Sequence, residues 1–184
     1  GGVDTLFKES SGKLQDYAAN AYKTAGLSAN EYMETVTGFS ASLIQSLGGD
    51  TEKAVKYADM AITDMSDNAN KMGTDMTSIQ NAYQGFAKQN YTMLDNLKLG
   101  YGGTKSEMER LLADAEKISG LEFNIDSYAD VVEAIHVIQD NLGITGTTAL
   151  EAEETITGSI NALQSAFGNL LVGFGRADAD IQML

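Results

Sequence analysis

The feature that most restricts how this chain can fold is the absence of proline from all 184 residues. At the usual frequency of about 5%, roughly nine prolines would be expected in a chain of this length. Proline inside a helix costs about 3 kcal/mol, because it removes a backbone hydrogen bond and clashes with the preceding turn. A proline-free chain with 43% hydrophobic residues therefore favours uninterrupted helices around a core. At ~100–200 residues per domain, its length predicts one domain or two small ones.

The composition also excludes several kinds of functional site. The chain has no cysteine, which excludes disulfides, thiol catalysis, iron–sulfur clusters and thiolate zinc sites. Its single histidine excludes a histidine-rich metal site. Twelve basic and 26 acidic residues give a net charge of −14, which argues against specific nucleic acid binding through a basic surface.

The apolar runs and the start of the chain bear on targeting. The longest apolar runs are far shorter than the ~20 residues that a membrane span needs, so we expect no membrane span in this segment. No signal peptide is visible, and the chain begins with Gly1 rather than methionine. We therefore expect an excised piece of a longer protein, with any targeting signal outside it.

Capping residues and glycines divide the sequence into seven predicted helices. Capping boxes, in which a hydroxyl and a glutamate satisfy the first amides of a helix, are predicted at Ser28–Glu31, Thr104–Glu107 and Thr148–Glu151. Simpler N-caps are Asp50 and Asp126. Glycines where helices should end are Gly48, Gly49, Gly73, Gly100, Gly120 and Gly143. Apolar residues with helical period predict helices over 4–25, 28–47, 51–72, 75–89, 105–119, 127–142 and 149–172, with a short turn at 94–97.

These patterns predict an all-α fold of about seven helices joined by glycine-containing loops. The helices form either a bundle or a partly extended array. Residues 1–26 are an N-terminal helix or a linker from a longer chain, 27–100 form one helical region, and 104–184 form another that ends in a heptad-like helix. Residues 121–125 alternate like a strand, but a lone strand has no pairing partner. We expect this segment to be an extended connector, with Leu121, Phe123 and Ile125 against the core.

The last predicted helix carries a heptad-like apolar seam. Its members, spaced 4, 3, 4, 3 and 4 residues apart, are Ile156, Ile160, Leu163, Phe167, Leu170 and Phe174. A seam of this kind is typical of a core helix in a bundle or of a helix that self-associates. Both interpretations stay open, because the seam falls just short of the length that makes a coiled coil persuasive.

Candidate chemical groups in the sequence are explained better by structure than by catalysis. His136 lies on the flank of the apolar arc of its helix. The sequence indicates no nucleophile or carboxylate that would lie beside it, as general acid–base catalysis requires. Three glutamates lie at the start of the last predicted helix, where acidic side chains cap the helix and interact favourably with its dipole: Glu151, Glu153 and Glu154. Three aspartates near the end of the third helix resemble a calcium loop only loosely, lacking its central glycine and final glutamate: Asp64, Asp67 and Asp75. We predict no catalytic residue, no metal site and no cofactor.

Two further features have similarly plain interpretations. The segment from Gly100 to Lys105 has the glycines of a phosphate-binding loop, but the order is Thr-Lys and no strand precedes it. A flexible loop between helices explains it better. Several methionines have helical spacing and are predicted to be packing residues rather than a binding groove: Met60, Met65, Met72, Met76 and Met93.

Two stretches resemble the tail tape measure proteins of long-tailed phages and prophages, particularly those of Gram-positive hosts. The first begins at Ser40-Ala-Ser-Leu-Ile-Gln-Ser-Leu-Gly-Gly-Asp50 and continues through 56–75, 80–88 and 97–112. The second is Thr155-Ile-Thr-Gly-Ser-Ile-Asn-Ala-Leu-Gln-Ser-Ala-Phe-Gly-Asn-Leu-Leu171, which is the more specific. Phe167 stands where a tryptophan is expected. The resemblance covers about residues 27–180.

This resemblance implies a structural role in the virion. Tape measure proteins are long helical chains around which tail tube subunits polymerise, and their length sets tail length. The implied partners are tail tube, tail chaperone and tail tip proteins, and the protein would be made in the host bacterial cytoplasm. The segment is either part of the extended ruler or a folded terminal module, and the many glycine stops favour the module.

Two other classes of function remain as alternatives. One is a secreted acidic helical interaction protein of a Gram-positive bacterium. The other is a cell-wall hydrolase, since some tape measure proteins carry such domains. The chain lacks the histidine pattern of a zinc peptidase and the glutamate-centred blocks of a lytic transglycosylase. We therefore expect a non-enzymatic segment.

Overall fold

The computed structural model describes residues 6–146 and 148, and within them the chain forms eight α-helices and no strand. The helices are α1 (Ser11–Ala19), α2 (Ala21–Ala25), α3 (Ala29–Thr37), α4 (Ser40–Ser46), α5 (Thr51–Met72), α6 (Met76–Ala87), α7 (Lys105–Ser119) and α8 (Tyr128–Asn141). Two 3-10 turns lie at Lys8–Ser10 and Leu94–Leu97. The predicted all-α fold is confirmed.

The long helix α5 lies at the centre of the bundle. It contacts α1, α2, α3, α4, α6 and α8, whereas α7 packs mainly against α8 as a hairpin. At 1.5 Å per residue, its 22 residues span about 33 Å. Ala54, Ala58 and Ala61 are completely buried along it. Their small side chains let the neighbouring helices approach α5 closely.

Several predicted helix starts are confirmed by hydrogen bonds. Ser28 and Glu31 form the complete capping box, in which Ser28 Oγ accepts from the Glu31 amide and the Glu31 carboxylate accepts from the Ser28 amide. The Asp50 carboxylate accepts from the Lys53 amide at 3.0 Å and begins α5. The bounds of α5 and α7 agree with the predicted 51–72 and 105–119.

Two predicted helices are each divided in the structure. The helix predicted over 4–25 ends at Asn20, whose side-chain amide donates to the carbonyl of Asp16 and competes with the helical backbone. The helix predicted over 28–47 is interrupted at Gly38 and Phe39, and Phe39 is 3% exposed in the core. Each interruption lets the chain turn around α5, which a single straight helix could not do.

Two predicted caps are also wrong in detail. Helix α8 is capped by Ser127, whose hydroxyl accepts from the Asp130 amide, and not by Asp126. Thr104 caps α7, but the Glu107 carboxylate accepts from the amide of Gly102 instead of completing the box. The cap of α8 is thus shifted by one residue, whereas α7 keeps its predicted cap and only the Glu107 carboxylate has a different partner.

Four large apolar side chains are exposed, and one of them, Leu121, was predicted to pack against the core. Tyr22 is 65% exposed, Leu142 52%, Leu121 51% and Ile118 46%. Three of them lie in a short helix or at a helix end, and Leu121 begins the connector after α7. The rest of the predicted connector does pack on the core through Phe123 and Ile125. The predicted packing role of the methionines is confirmed for Met60, Met65, Met72, Met76 and Met93.

The glycine-rich loop between the Leu94–Leu97 turn and α7 is held by specific contacts. Arg110 donates to the carbonyl of Gly100 at 2.7 Å, and its guanidinium lies 4.3 Å from the centre of the Tyr101 ring. The Tyr101 hydroxyl donates to Asp114. The hydrogen bond from Arg110 also lowers the pKa of Glu107 to about 2. A 3-10 turn precedes this loop, so it joins helices as predicted, but its contacts hold it in place and do not agree with the predicted flexibility. The strand that a phosphate-binding loop requires is missing from this position.

Candidate functional site

A group of buried polar side chains on α5 and α8 is the candidate functional site. On α5, Asp64, Asp67 and Asn68 are 1%, 0% and 0% exposed, and their spacing puts them on one side of the helix. Gln139 of α8 is completely buried beside them. Burying a polar group costs free energy unless it is hydrogen-bonded. The partners of these side chains therefore show what the group does.

The first contact is a buried pair between Asp64 and His136. Both carboxylate oxygens of Asp64 lie 3.0 Å from His136 Nδ1. The His136 side chain is 13% exposed. Although burial alone disfavours the charged imidazole, the Asp64 carboxylate raises the pKa of His136 to about 9. Complete burial also raises the pKa of Asp64, and His136 opposes that rise. At neutral pH the imidazole is therefore protonated and its charge is paired with the carboxylate.

The second contact is a chain of amide hydrogen bonds beside this pair. Gln139 donates from Nε2 to the backbone carbonyl of Asp64 at 3.0 Å and accepts from Asn68 Nδ2 at 2.8 Å. Asn68 also donates to the carbonyl of Leu97 and accepts from the Thr74 hydroxyl. These bonds connect α5, α8 and the Leu94–Leu97 turn. A single buried asparagine thereby fixes the positions of three separate segments.

The third contact fixes the chain beyond α8. The two carboxylate oxygens of Asp67 accept from the backbone amides of Gly146 and Thr148, each at 2.9 Å. Burial raises the pKa of Asp67 to about 6, although these two hydrogen bonds oppose the rise. A carboxylate that accepts from amides at the start of the next segment acts as a helix N-cap does, but from a distant part of the chain. Asp67 therefore holds Gly146 and Thr148 against α5.

The chemistry available to this network is mainly structural. A carboxylate paired with imidazole Nδ1 can orient a histidine for general base catalysis, but a nucleophile and an oxyanion site must converge on the other nitrogen. On the Asp64 side, the pair adjoins the hydrogen-bonded amides of Asn68 and Gln139, which join α5, α8 and the Leu94–Leu97 turn. Among residues 6–146 and 148, no three histidine or acidic side chains are arranged to hold a metal ion. The network is best described as a tie between helices.

The sequence-based interpretation recognised some of these residues but not their association. The sequence indicated no carboxylate that would converge on His136, and this was wrong, because Asp64, which lies 72 residues earlier, contacts its imidazole. Asp64, Asp67 and Asp75 do not come together as a loop, because Asp75 instead caps α6 by accepting from Ser78. The available signal was the helical spacing of the polar residues in α5 and of the pair His136 and Gln139 in α8.

The predicted seam of the last helix lies outside the described residues. Its members are Ile156, Ile160, Leu163, Phe167, Leu170 and Phe174. The glutamates predicted to open that helix lie outside them as well: Glu151, Glu153 and Glu154. Both remain predictions.

Comparison with known proteins adds no family to this description. No protein-family model, curated protein or solved structure matches the chain. In the described part of the chain, none of the helices is both long and apolar enough to cross a membrane.

Proposed function

We propose that this chain is a non-catalytic structural segment of a phage tail tape measure protein, which helps set tail length and assemble the tail tube. The observation that carries the proposal is the pair of sequence stretches that resemble this family, above all the one from Thr155 to Leu171. The proposed partners are tail tube, tail chaperone and tail tip proteins, and the proposed location is the virion. The net charge of −14 would repel DNA, which suits a chain that must leave the tube before DNA passes.

Within that function, we favour a folded module over a stretch of extended ruler. A fully extended helix of this length would reach at most ~280 Å. Residues 6–146 instead fold back around α5, with buried polar contacts between positions 71–81 residues apart. The buried Asp64–His136 pair could not form in one extended helix. Such contacts support a compact module that docks other tail proteins.

The proposed absence of catalysis rests on how the polar groups are used. The one described histidine faces a buried carboxylate, and that carboxylate lies within a network of amides that join helices. We expect the purified chain to leave cell walls intact in a turbidity assay. Cell-wall cleavage that is lost in Glu151→Gln or Glu154→Gln would contradict this part of the proposal.

The test is an in-frame deletion of residues 104–172 in a phage whose tail gene encodes this segment. If the segment is a folded module, the deletion removes part of its core and should abolish tails. If the segment is extended ruler, tails should form but be shorter by roughly 100 Å, at 1.5 Å per residue. Electron micrographs distinguish these outcomes. Infectious phages with tails of normal length would refute both versions, and the surface variant Glu52→Gln serves as a control that should assemble normally.

The competing proposal is a secreted acidic helical interaction protein of a Gram-positive bacterium. The acidic charge and the back-folded bundle favour it as much as they favour a tail module. The length and neighbourhood of the parent gene separate the two. A short gene that encodes little beyond this segment, outside any tail gene cluster, would contradict the tape measure proposal and support the secreted protein.

A further inference from the structure

The end of the α7–α8 hairpin holds apolar side chains in solvent. Ile118, in the last turn of α7, is 46% exposed, and Leu121, just after that helix, is 51% exposed. They are two of the four most exposed large apolar side chains in the described part of the chain. We call the surface formed by Glu116, Leu121, Glu122, Phe123 and Asp130 the hairpin tip.

Hydrogen bonds hold the connector at the hairpin tip in place. The Glu116 carboxylate accepts from the Phe123 amide at 2.9 Å, and the Asp130 carboxylate accepts from the Asn124 amide at 2.8 Å. The amide of Leu121 donates to a serine hydroxyl at 3.1 Å. Leu121 is therefore exposed because the backbone is fixed in this position and not because the connector lacks contacts. A backbone fixed in this way presents the Leu121 side chain to a partner without a further ordering cost.

The hairpin tip is concave and acidic. It includes an open depression of about 530 Å³, within the size range of peptide side-chain and ligand pockets. Leu121 and Phe123 provide its apolar wall, and three lining residues carry carboxylates, namely Glu116, Glu122 and Asp130. None of the described residues that line it carries a positive charge. Across residues 114–133 there are six acidic residues and one basic residue.

We propose that the hairpin tip binds a basic, amphipathic peptide segment of a partner protein. An apolar side chain of the partner fills the depression against Leu121 and Phe123, and its lysines or arginines lie beside Glu122 and Asp130. Charge selects this occupant, because complementary charge steers association while like charges repel. A second copy of this chain would bring another net charge of −14, and an anionic membrane surface would be repelled as well. This inference does not depend on the tail function.

The test measures binding of the full chain to a synthetic helical peptide of leucine and lysine, about four turns long. Leu121→Ser should weaken binding about tenfold, or about 1.4 kcal/mol. Glu122→Gln should weaken it severalfold and reduce its salt dependence. Because both side chains lie on the surface, each variant should keep its helical circular dichroism.

Matched controls separate this site from general attraction to an acidic protein. Leu142→Ser removes an equally exposed leucine elsewhere, and Glu52→Gln removes an exposed acid on α5; both should bind within twofold of the unmodified chain. A peptide with glutamine in place of lysine should bind far more weakly. The proposal is overturned if the controls lose as much affinity as the hairpin tip variants, or if the neutral peptide binds equally well.

Discussion

The buried pair of Asp64 and His136 should make the stability of the bundle depend on pH in a specific direction. The pKa of His136 is raised from 6.5 to about 9 by the carboxylate, which corresponds to about 3 kcal/mol of stability. Because the folded pKa exceeds the unfolded one, this stability is fully present below pH 6.5 and is lost as pH rises through about 9.

Removal of the imidazole tests the same contact independently. His136→Ala leaves the Asp64 carboxylate, which is 1% exposed, without its counter-charge. Breaking one side of a buried pair typically costs about 3–5 kcal/mol, which agrees in size with the pKa argument. His136→Gln can still donate a hydrogen bond to Asp64 but carries no charge. It should therefore be less destabilised than His136→Ala and should lose the pH dependence that the imidazole provides.

The measurement is urea unfolding followed by circular dichroism, between about pH 6 and about pH 10. Asn141→Ala, an exposed change on the same helix, is the control and should stay within about 0.5 kcal/mol of the unmodified chain. If the unmodified chain keeps a constant unfolding free energy over this range, or if His136→Gln declines as steeply, the imidazole is not stabilised by Asp64. A cost below about 1 kcal/mol for His136→Ala would lead to the same conclusion.

Three other perturbations test separate parts of the structure. Asp67→Ala should cost about 1–3 kcal/mol, because it leaves two backbone amides without their acceptor, and hydrogen exchange at those amides should accelerate. Gly103→Ala should lower the free energy of unfolding in urea by about 1–3 kcal/mol, because the added methyl group collides with the carbonyl oxygen of Thr92. Gly12→Ala is the control: it lies in a helix with no atom near the added methyl group, and it should be stabilising by about 0.5–1 kcal/mol. Leu163→Asp, in the predicted seam of the last helix, should lower the melting temperature or dissociate an oligomer; if melting temperature and solution mass both stay unchanged, the seam is not buried.

Local signals in the sequence predict much of the helical framework. The bounds of α5 follow from the Asp50 cap at one end and from Gly73, in the left-handed conformation, at the other. The bounds of α7 follow in the same way from Thr104 and Gly120. Each of these signals acts within a few residues, because a capping side chain reaches only the first amides of its own helix. A single sequence is therefore sufficient to find them.

The interruptions at Asn20 and Gly38 show where such local prediction ends. Apolar spacing continues through both positions, and neither contains a proline that would mark a break. The breaks arise because α1 to α4 must turn around α5 to bury residues such as Phe39. Burial of this kind depends on which helices become neighbours, and a periodic pattern in one helix does not specify its neighbour.

The candidate site depends on the tertiary structure for the same reason. The sequence by itself determined an acidic, proline-free chain of capped helices, with His136 on the flank of the apolar arc of its helix. Only the tertiary structure decided that Asp64, Asp67 and Asn68 are inside, because α5 is surrounded by helices on several sides and its polar flank is covered along with its apolar stripe. A carboxylate on an isolated helix is expected to face water. The Asp64 carboxylate becomes a buried partner of His136 only when folding brings together these two positions, which are 72 residues apart. Its hydrogen bond to the imidazole then offsets the free energy lost when the carboxylate leaves water.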